Sequence, residues 1–386
     1  MSRFTGLTTL TVGALAATTL LTGQPVTAQP VTSAAAAAVV ATIDVGKRPG
    51  DLALDAAKGL LYALDYVAGR VSVVSTTSNA VIGTIDVPEE SIYLTLDAPG
   101  NRLFVAVGEA TLGPGAMAVI DTGTNTIVGT TPLPGYPRRP VLDAAKGLLF
   151  VTQTDEENGP GTLSVIDTST NTVISSLTIG VGPGDPVLDA ARARLYVPIS
   201  DPSTVAVIDT RAGKQVASIK VPRFVDFLAL DAPHRRLYGL RSSGLTVIDT
   251  RANRIVATIR VPLSVEDGPP VIDSARQRLY ATGWTQRGYV AVIDTRTNTV
   301  KAKIRAGYAP DGPVLDTARR RLYVPEFDEG SGTSLFVIDT AANKLVQTVT
   351  VGEGPRRPVL DAAANRLYVP NWASGGLSVV DTAAAS

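Results

Sequence analysis

Val314-Leu315-Asp316, Arg321-Leu322-Tyr323-Val324, Leu335-Phe336-Val337-Ile338-Asp339-Thr340 and then Leu345 to Val351 follow one another within residues 309–351. Each run is short and apolar or β-branched, and Asp, Pro, Gly or Asn stands at its end. Runs of this kind read as antiparallel strands joined by tight connections. The same unit recurs along the chain. Its first Asp falls at Asp55, Asp97, Asp143, Asp189, Asp231, Asp273, Asp316 and Asp361, spaced 42, 46, 46, 42, 42, 43 and 45 residues apart. Four short strands in a period of this length are the signature of a β-propeller, in which each repeat is a blade whose faces are covered by its neighbours. The expected fold is all-β: an eight-bladed β-propeller of four-stranded antiparallel blades.

The last unit is incomplete. Leu377-Ser378-Val379-Val380 is its third strand, and no fourth follows. Ala38-Val39-Val40-Ala41-Thr42-Ile43-Asp44-Val45 has the pattern of Arg254 to Val261, a fourth strand inside the array. The N-terminal strand is therefore expected to complete the last blade and remove an open sheet edge.

Ahead of this strand the chain reads as an export signal. Arg3 is followed by an apolar stretch, Leu7 to Leu21, too short for a comfortable membrane span. Val26-Thr27-Ala28 offers a small-residue cleavage site, and Ala34 to Ala38 a later one. The expected organisation is a signal peptide over 1–28 (cut as late as 38 in the alternative), a disordered Ala-rich linker over 29–37, and one propeller domain over 38–386. The expected location is secreted or at the cell surface, with no membrane span in the mature chain. The chain has no cysteine, which excludes a disulfide framework and a lipidated cysteine. Its 35 basic and 35 acidic residues balance, so no nucleic-acid partner is expected.

The words that repeat belong to the scaffold. Asp121, Asp167, Asp209, Asp249, Asp294, Asp339 and Asp381 each precede Thr at the start of a turn, where a carboxylate accepts backbone N–H bonds. Ser75 takes that place in the first copy and offers a weaker version of the bond. The second-strand ring, Tyr62, Phe104, Phe150, Tyr196, Tyr238, Tyr280, Tyr323 or Tyr368, is what packing between blades requires.

These units resemble the YVTN family of β-propeller repeats. The resemblance rests on Arg321-Leu322-Tyr323-Val324, on Val-Ile-Asp-Thr with Thr-Asn at Val292 to Asn298, and on Val-Gly-x-x-Pro at Val351 to Pro355. It covers nearly all of 38–382. The family's Ser-Pro-Asp-Gly turn is replaced by Asp-Ala-Ala or Asp-Ala-Pro, as at Asp143 and Asp231, so the resemblance implies a divergent branch. Family members are often exported or surface proteins of diverse function, and the likeness implies fold more than role.

Function is sought where the copies differ. Turns within strand pairs one–two and three–four share one face, which is basic through Lys58, Lys146, Arg192, Arg235, Arg276, Arg319 and Arg320; these read as solvated turns, with an anionic surface as the alternative partner. The other face carries the longer loops. Four residues beyond each second-strand ring stand Tyr66, Gly108, Thr154, Ser200, Ser242, Trp284, Phe327 and Trp372. The four aromatics lie in consecutive blades and read as an arc for a stacking or apolar ligand. The blade-linking loops bring Asp51, Asp185, Asp226, Asp267 and Asp311 toward Arg138, Arg139, Arg356 and Arg357, either as mutual ion pairs or as a carboxylate or phosphate site. Tyr66, Trp284, Phe327, Trp372, Arg356, Arg357 and Tyr308 are the candidate ligand-binding residues. No catalytic residue, metal ligand or cofactor is assigned: the single histidine, His234, sits in a turn on the opposite face, and neither a Ser-His-Asp set nor zinc spacing can be assembled. The leading expectation is a monomeric, non-catalytic binding or scaffold module for a protein, glycan or small molecule. The alternative is a lactonase-like hydrolase, isomerase or lyase with an axial site; a third reading is assembly at the cell surface through the basic face.

Overall fold

The computed structural model describes residues 36–108, 114–154, 159–263, 268–284 and 287–383, with Trp284 described in its backbone alone. The expected export signal, nearly all of the linker and Asp267 lie outside the described residues.

The strands form eight four-stranded antiparallel units in chain order. Blade one is Pro49–Asp55, Leu60–Asp65, Arg70–Ser75 and Ala80–Asp86, and blade seven is Val314–Asp316, Arg321–Pro325, Ser334–Asp339 and Lys344–Thr350. Blade eight is Val359–Asp361, Arg366–Pro370, Leu377–Asp381 and, as its fourth strand, Ala38–Ile43. Ala38 lies opposite Asp381 and Ile43 opposite Leu377, which is the closure the incomplete copy calls for. Ala37 is buried, and the Gln347 side chain of blade seven accepts from its N–H at 2.9 Å. One departure from eight separate sheets occurs. Thr172–Pro183, the outer strand of blade three, runs long, and its end pairs with Ile199 and Asp201 of blade four, so these two blades share one hydrogen-bonded sheet.

Packing between blades holds the ring. Each of the eight buried clusters draws on two consecutive blades, including the pair formed across the closure, where Ile43 and Tyr368 pack with Leu61, Ala63 and Val74. The second-strand rings are the largest members and are 0–1% exposed. Burying one such ring stabilises by roughly 2–3 kcal/mol relative to leaving it in water. The phenols face the Thr of the next blade's turn: Tyr62 meets Thr122, Tyr196 meets Thr250 and Tyr280 meets Thr340. Burial pushes the Tyr238 and Tyr323 phenols up to about 12, so they stay neutral.

The Asp-Thr turns are built as their sequence dictates. Asp121 Oδ1 accepts from Gly123 N–H at 2.8 Å and Thr124 N–H at 3.0 Å, and Asn125 closes the turn with φ 56°. That left-handed conformation suits Asn, whose short polar side chain tolerates it. Ser75 makes the single longer bond, accepting from Ser78 N–H at 3.3 Å.

The turn face corrects the reading of five of its cations, Lys58, Lys146, Arg192, Arg276 and Arg319, as merely solvated, while Arg235 and Arg320 are exposed and make no ion pair among the described residues. The Asp that ends each first strand is buried, and in six blades the residue three further on pairs with it: Lys58, Lys146, Arg192, His234, Arg276 and Arg319, at 2.7–3.7 Å. Blades two and eight have Gly100 and Ala364 there. A carboxylate that is taken out of water needs a partner, and the turn supplies one locally.

Candidate functional site

On the opposite face a cavity of about 500 Å³ opens at the mouth of the channel, and every blade contributes to its lining. The scaffold explains why. Four residues before the first-strand Asp, the chain enters each blade beside the axis; the residues at this register are Asp51, Tyr93, Arg139, Asp185, Phe227, Pro269, Gly312 and Arg357 in blades one to eight. All but Gly312 line the cavity, and blade seven contributes the adjacent Asp311 instead. Gly50, Leu64, Tyr66, Ile92, Leu228 and Trp372 supply most of the remaining wall.

Charge at the mouth is partly closed on itself. Arg139 reaches back from blade three to blade one, where its Nη1 and Nη2 donate to the two oxygens of Asp51 at 2.9 and 3.3 Å. On the way its guanidinium lies 4.5 Å over the ring of Tyr93 in blade two. Asp51 also accepts from Leu94 N–H at 2.8 Å. Burial works against the charge on Arg139, but the attraction of Asp51 outweighs it and raises its pKa. A fork-to-fork pair of this kind is the strongest arrangement a guanidinium and a carboxylate make.

The other carboxylates are less well served. Asp185 accepts only a 3.3 Å bond from Arg139 N–H, and burial pushes its carboxyl up despite the nearby Arg139 and Arg138 charges. Asp311 is 6% exposed, accepts from Gly312 N–H at 2.6 Å and meets Arg356 Nη1 at 3.5 Å; burial raises it too. Asp226 does not line the cavity, and burial raises its carboxyl as well.

Arg357 stands apart. It lines the cavity, and among the described residues no hydrogen bond or ion pair engages its guanidinium. Burial pushes its pKa down, and the repulsion of Arg139 adds to that. Its aliphatic stem rests on Gly312, where an added Cβ would come within 3.1–3.2 Å of it.

The aromatic candidates divide. Phe327 and Trp372 pack edge to face with centroids 5.8 Å apart. Arg356 covers Phe327 at 3.5 Å and Arg48 covers Trp372 at 4.6 Å, so two of the arc's rings are already stacked on the chain's own guanidiniums. Tyr66 and Trp372 line the cavity, while Phe327 and Tyr308 do not. Tyr308 is 47% exposed, and its N–H donates to Glu326 Oε1 at 2.7 Å. The side chain of Trp284 lies outside the described residues. Tyr93 and Phe227 were missed by counting onward from the second-strand ring; counting four back from the first-strand Asp finds both.

Fold and mouth together define an eight-bladed β-propeller with a polar, aromatic-walled cavity on its axis. Three solved structures share the architecture. Dihydro-heme d1 dehydrogenase NirN in complex with DHE has a TM-score of 0.73 at 14% identity, covering 89% of this chain and 74% of that one. BamB from Moraxella catarrhalis has a TM-score of 0.65 at 14% identity, covering 90% and 100%. Kuenenia stuttgartiensis hydrazine synthase has a TM-score of 0.61 at 15% identity, covering 88% and 96%. At these identities the likeness is one of fold. No family model matches the chain, and no curated protein matches it in sequence. Among the described residues no helix is long and apolar enough to cross a membrane.

Proposed function

We propose that this chain is a non-catalytic binding propeller, a divergent YVTN-type protein that works as an exported monomer and takes a small organic ligand at its channel mouth. The observation that carries the reading is the cavity itself. Its volume of about 500 Å³ falls within the range of small-molecule sites, and it combines aromatic walls with a few converging charged groups. Export rests on the apolar N-terminal stretch. A binding role is favoured over an axial hydrolase by the state of the carboxylates: Asp51 and Asp311 are engaged by arginines, and the one histidine pairs with Asp231 on the far face. NirN, which shares the fold, is known in complex with DHE, which accords with a ligand-binding reading.

Gly50 gives a direct test. It lines the cavity, and a Cβ built there would meet only the Tyr66 Cβ, at 3.8 Å. Gly50→Leu should therefore fill space without disturbing the blades. A small-molecule library is screened by thermal shift against wild type and this variant. Compounds that protect wild type should lose their effect on Gly50→Leu; equal protection of both proteins would place binding elsewhere.

A further inference from the structure

Arg139 and Arg357 occupy the same register in blades three and eight, and each follows another arginine and precedes a proline. Their surroundings correspond as well. Arg139 leans over the neighbouring blade's Tyr93 and ends on Asp51, two blades back. Arg357 leans over the neighbouring blade's Gly312, and the residue two blades back at the same register is Pro269. Among the described residues the repeat thus builds one arginine with its carboxylate and a second without it. The second also has Gly312 in place of a ring, and the stem of Arg357 itself lies where a side chain would stand there.

We propose that Arg357 receives the carboxylate of a small organic acid, which takes the position that Asp51 fills for Arg139. This rests on the cavity being the ligand site, and it names the ligand's class. The guanidinium at this register makes a two-bond fork with a planar carboxylate where the chain provides one, so a ligand carboxylate meets a geometry already used once in the ring. The lining sets Asp51, Asp185 and Asp311 against Arg139, Arg356 and Arg357, and only Arg357 lacks a carboxylate contact among the described residues, so one unmatched charge suits a carboxylate better than a phosphate dianion. Phe227, Tyr66 and Trp372 on the walls suit an acid with a flat apolar body. The lowered pKa of Arg357 accords with a buried cation on which Asp51, Asp311 and Asp185 act without offsetting burial and the repulsion of Arg139.

The test uses benzoate, benzamide and phenylphosphate as probes on the full chain, read by calorimetry and thermal shift. Benzoate should bind at least 10-fold more tightly than benzamide and than phenylphosphate. Arg357→Gln should abolish that preference. Pro269→Asp should supply the missing partner and weaken benzoate at least 10-fold while leaving benzamide unchanged, and because it adds an ion pair it separates the effect from any folding defect of Arg357→Gln. Benzamide and benzoate binding alike, in wild type and in both variants, would overturn the carboxylate assignment and leave the cavity reading standing. Tighter binding of phenylphosphate would overturn the choice of carboxylate. No binding of any of the three would overturn the proposal outright, and the library screen against Gly50→Leu then decides the cavity reading separately.

Discussion

The two faces of this ring use the same residue types to opposite ends. On the turn face each buried Asp is joined to a Lys, Arg or His three residues further along its own turn, in six of the eight blades. At the channel mouth the carboxylates and guanidiniums come from different blades, and the pairing is incomplete: Arg139 and Asp51 lock, Arg356 only approaches Asp311, and Arg357 is left over. Local pairs close within one repeat and need nothing from outside. Pairs that span blades depend on the whole ring, and a mismatch there leaves a charge available to a ligand. Charged residues in a repeat protein are thus sorted by whether their partner lies in the same repeat.

The sharpest way to break this contrast is to remove one arginine from each face. Arg319→Ala leaves Asp316 buried without its cation and is expected to cost about 2 kcal/mol. Arg357→Gln removes a guanidinium with no partner among the described residues and should stay within about 0.5 kcal/mol. Denaturant unfolding of the two variants checks this, and equal losses would erase the distinction between the faces.

A middling effect is expected from Asp185→Asn. Burial holds the folded-state pKa of Asp185 above its unfolded value, so the ionised group opposes folding at neutral pH. Its favourable contribution is full below the unfolded pKa and is lost as pH rises through the folded one. Asn should therefore stabilise on the order of 1 kcal/mol at pH 7, with the gain shrinking toward pH 4. Thermal unfolding at both pH values measures it; a lower melting temperature at pH 7 would mean that Arg138 and Arg139 need this charge after all.

The smallest effect concerns blade eight. Ala364 N–H donates to Asp361 at 2.9 Å, as Arg319 N–H does to Asp316, but Ala364 has no charge to add. Ala364→Arg should restore the pair and add about 0.5–1 kcal/mol. Unchanged stability would show that turn N–H groups alone satisfy these carboxylates.

Much of this was legible in the sequence. The period, the second-strand rings and the Asp-Thr turns are local signals, and the strand Ala38–Ile43 carries the fourth-strand pattern openly. Asp-x-x-Arg at Asp316 and Arg319 sets its pair within one turn, but the burial of the carboxylate does not show in the sequence, and these cations read there as solvated. The mouth was half legible. Its register follows from the first-strand Asp, which yields Tyr93, Phe227 and Arg357 by position. The partners do not follow, because Arg139 finds Asp51 across two blades and a linear reading does not give the direction in which a guanidinium leans. The cover over the arc was not legible for the same reason: Arg48 and Arg356 reach Trp372 and Phe327 from loops whose course is set by the ring rather than by local sequence.

The strand that completes blade eight is the first part of the propeller to be synthesised, and its partner, Leu377–Asp381, is nearly the last. Until both exist, Ala38–Ile43 has no ladder to join, although Gln347 already stands ready to hold Ala37. Closure is thus a length check on translation. A product cut short before the final blade leaves Ala38–Ile43 unpaired and exposes the apolar faces of blades one and seven to proteolysis.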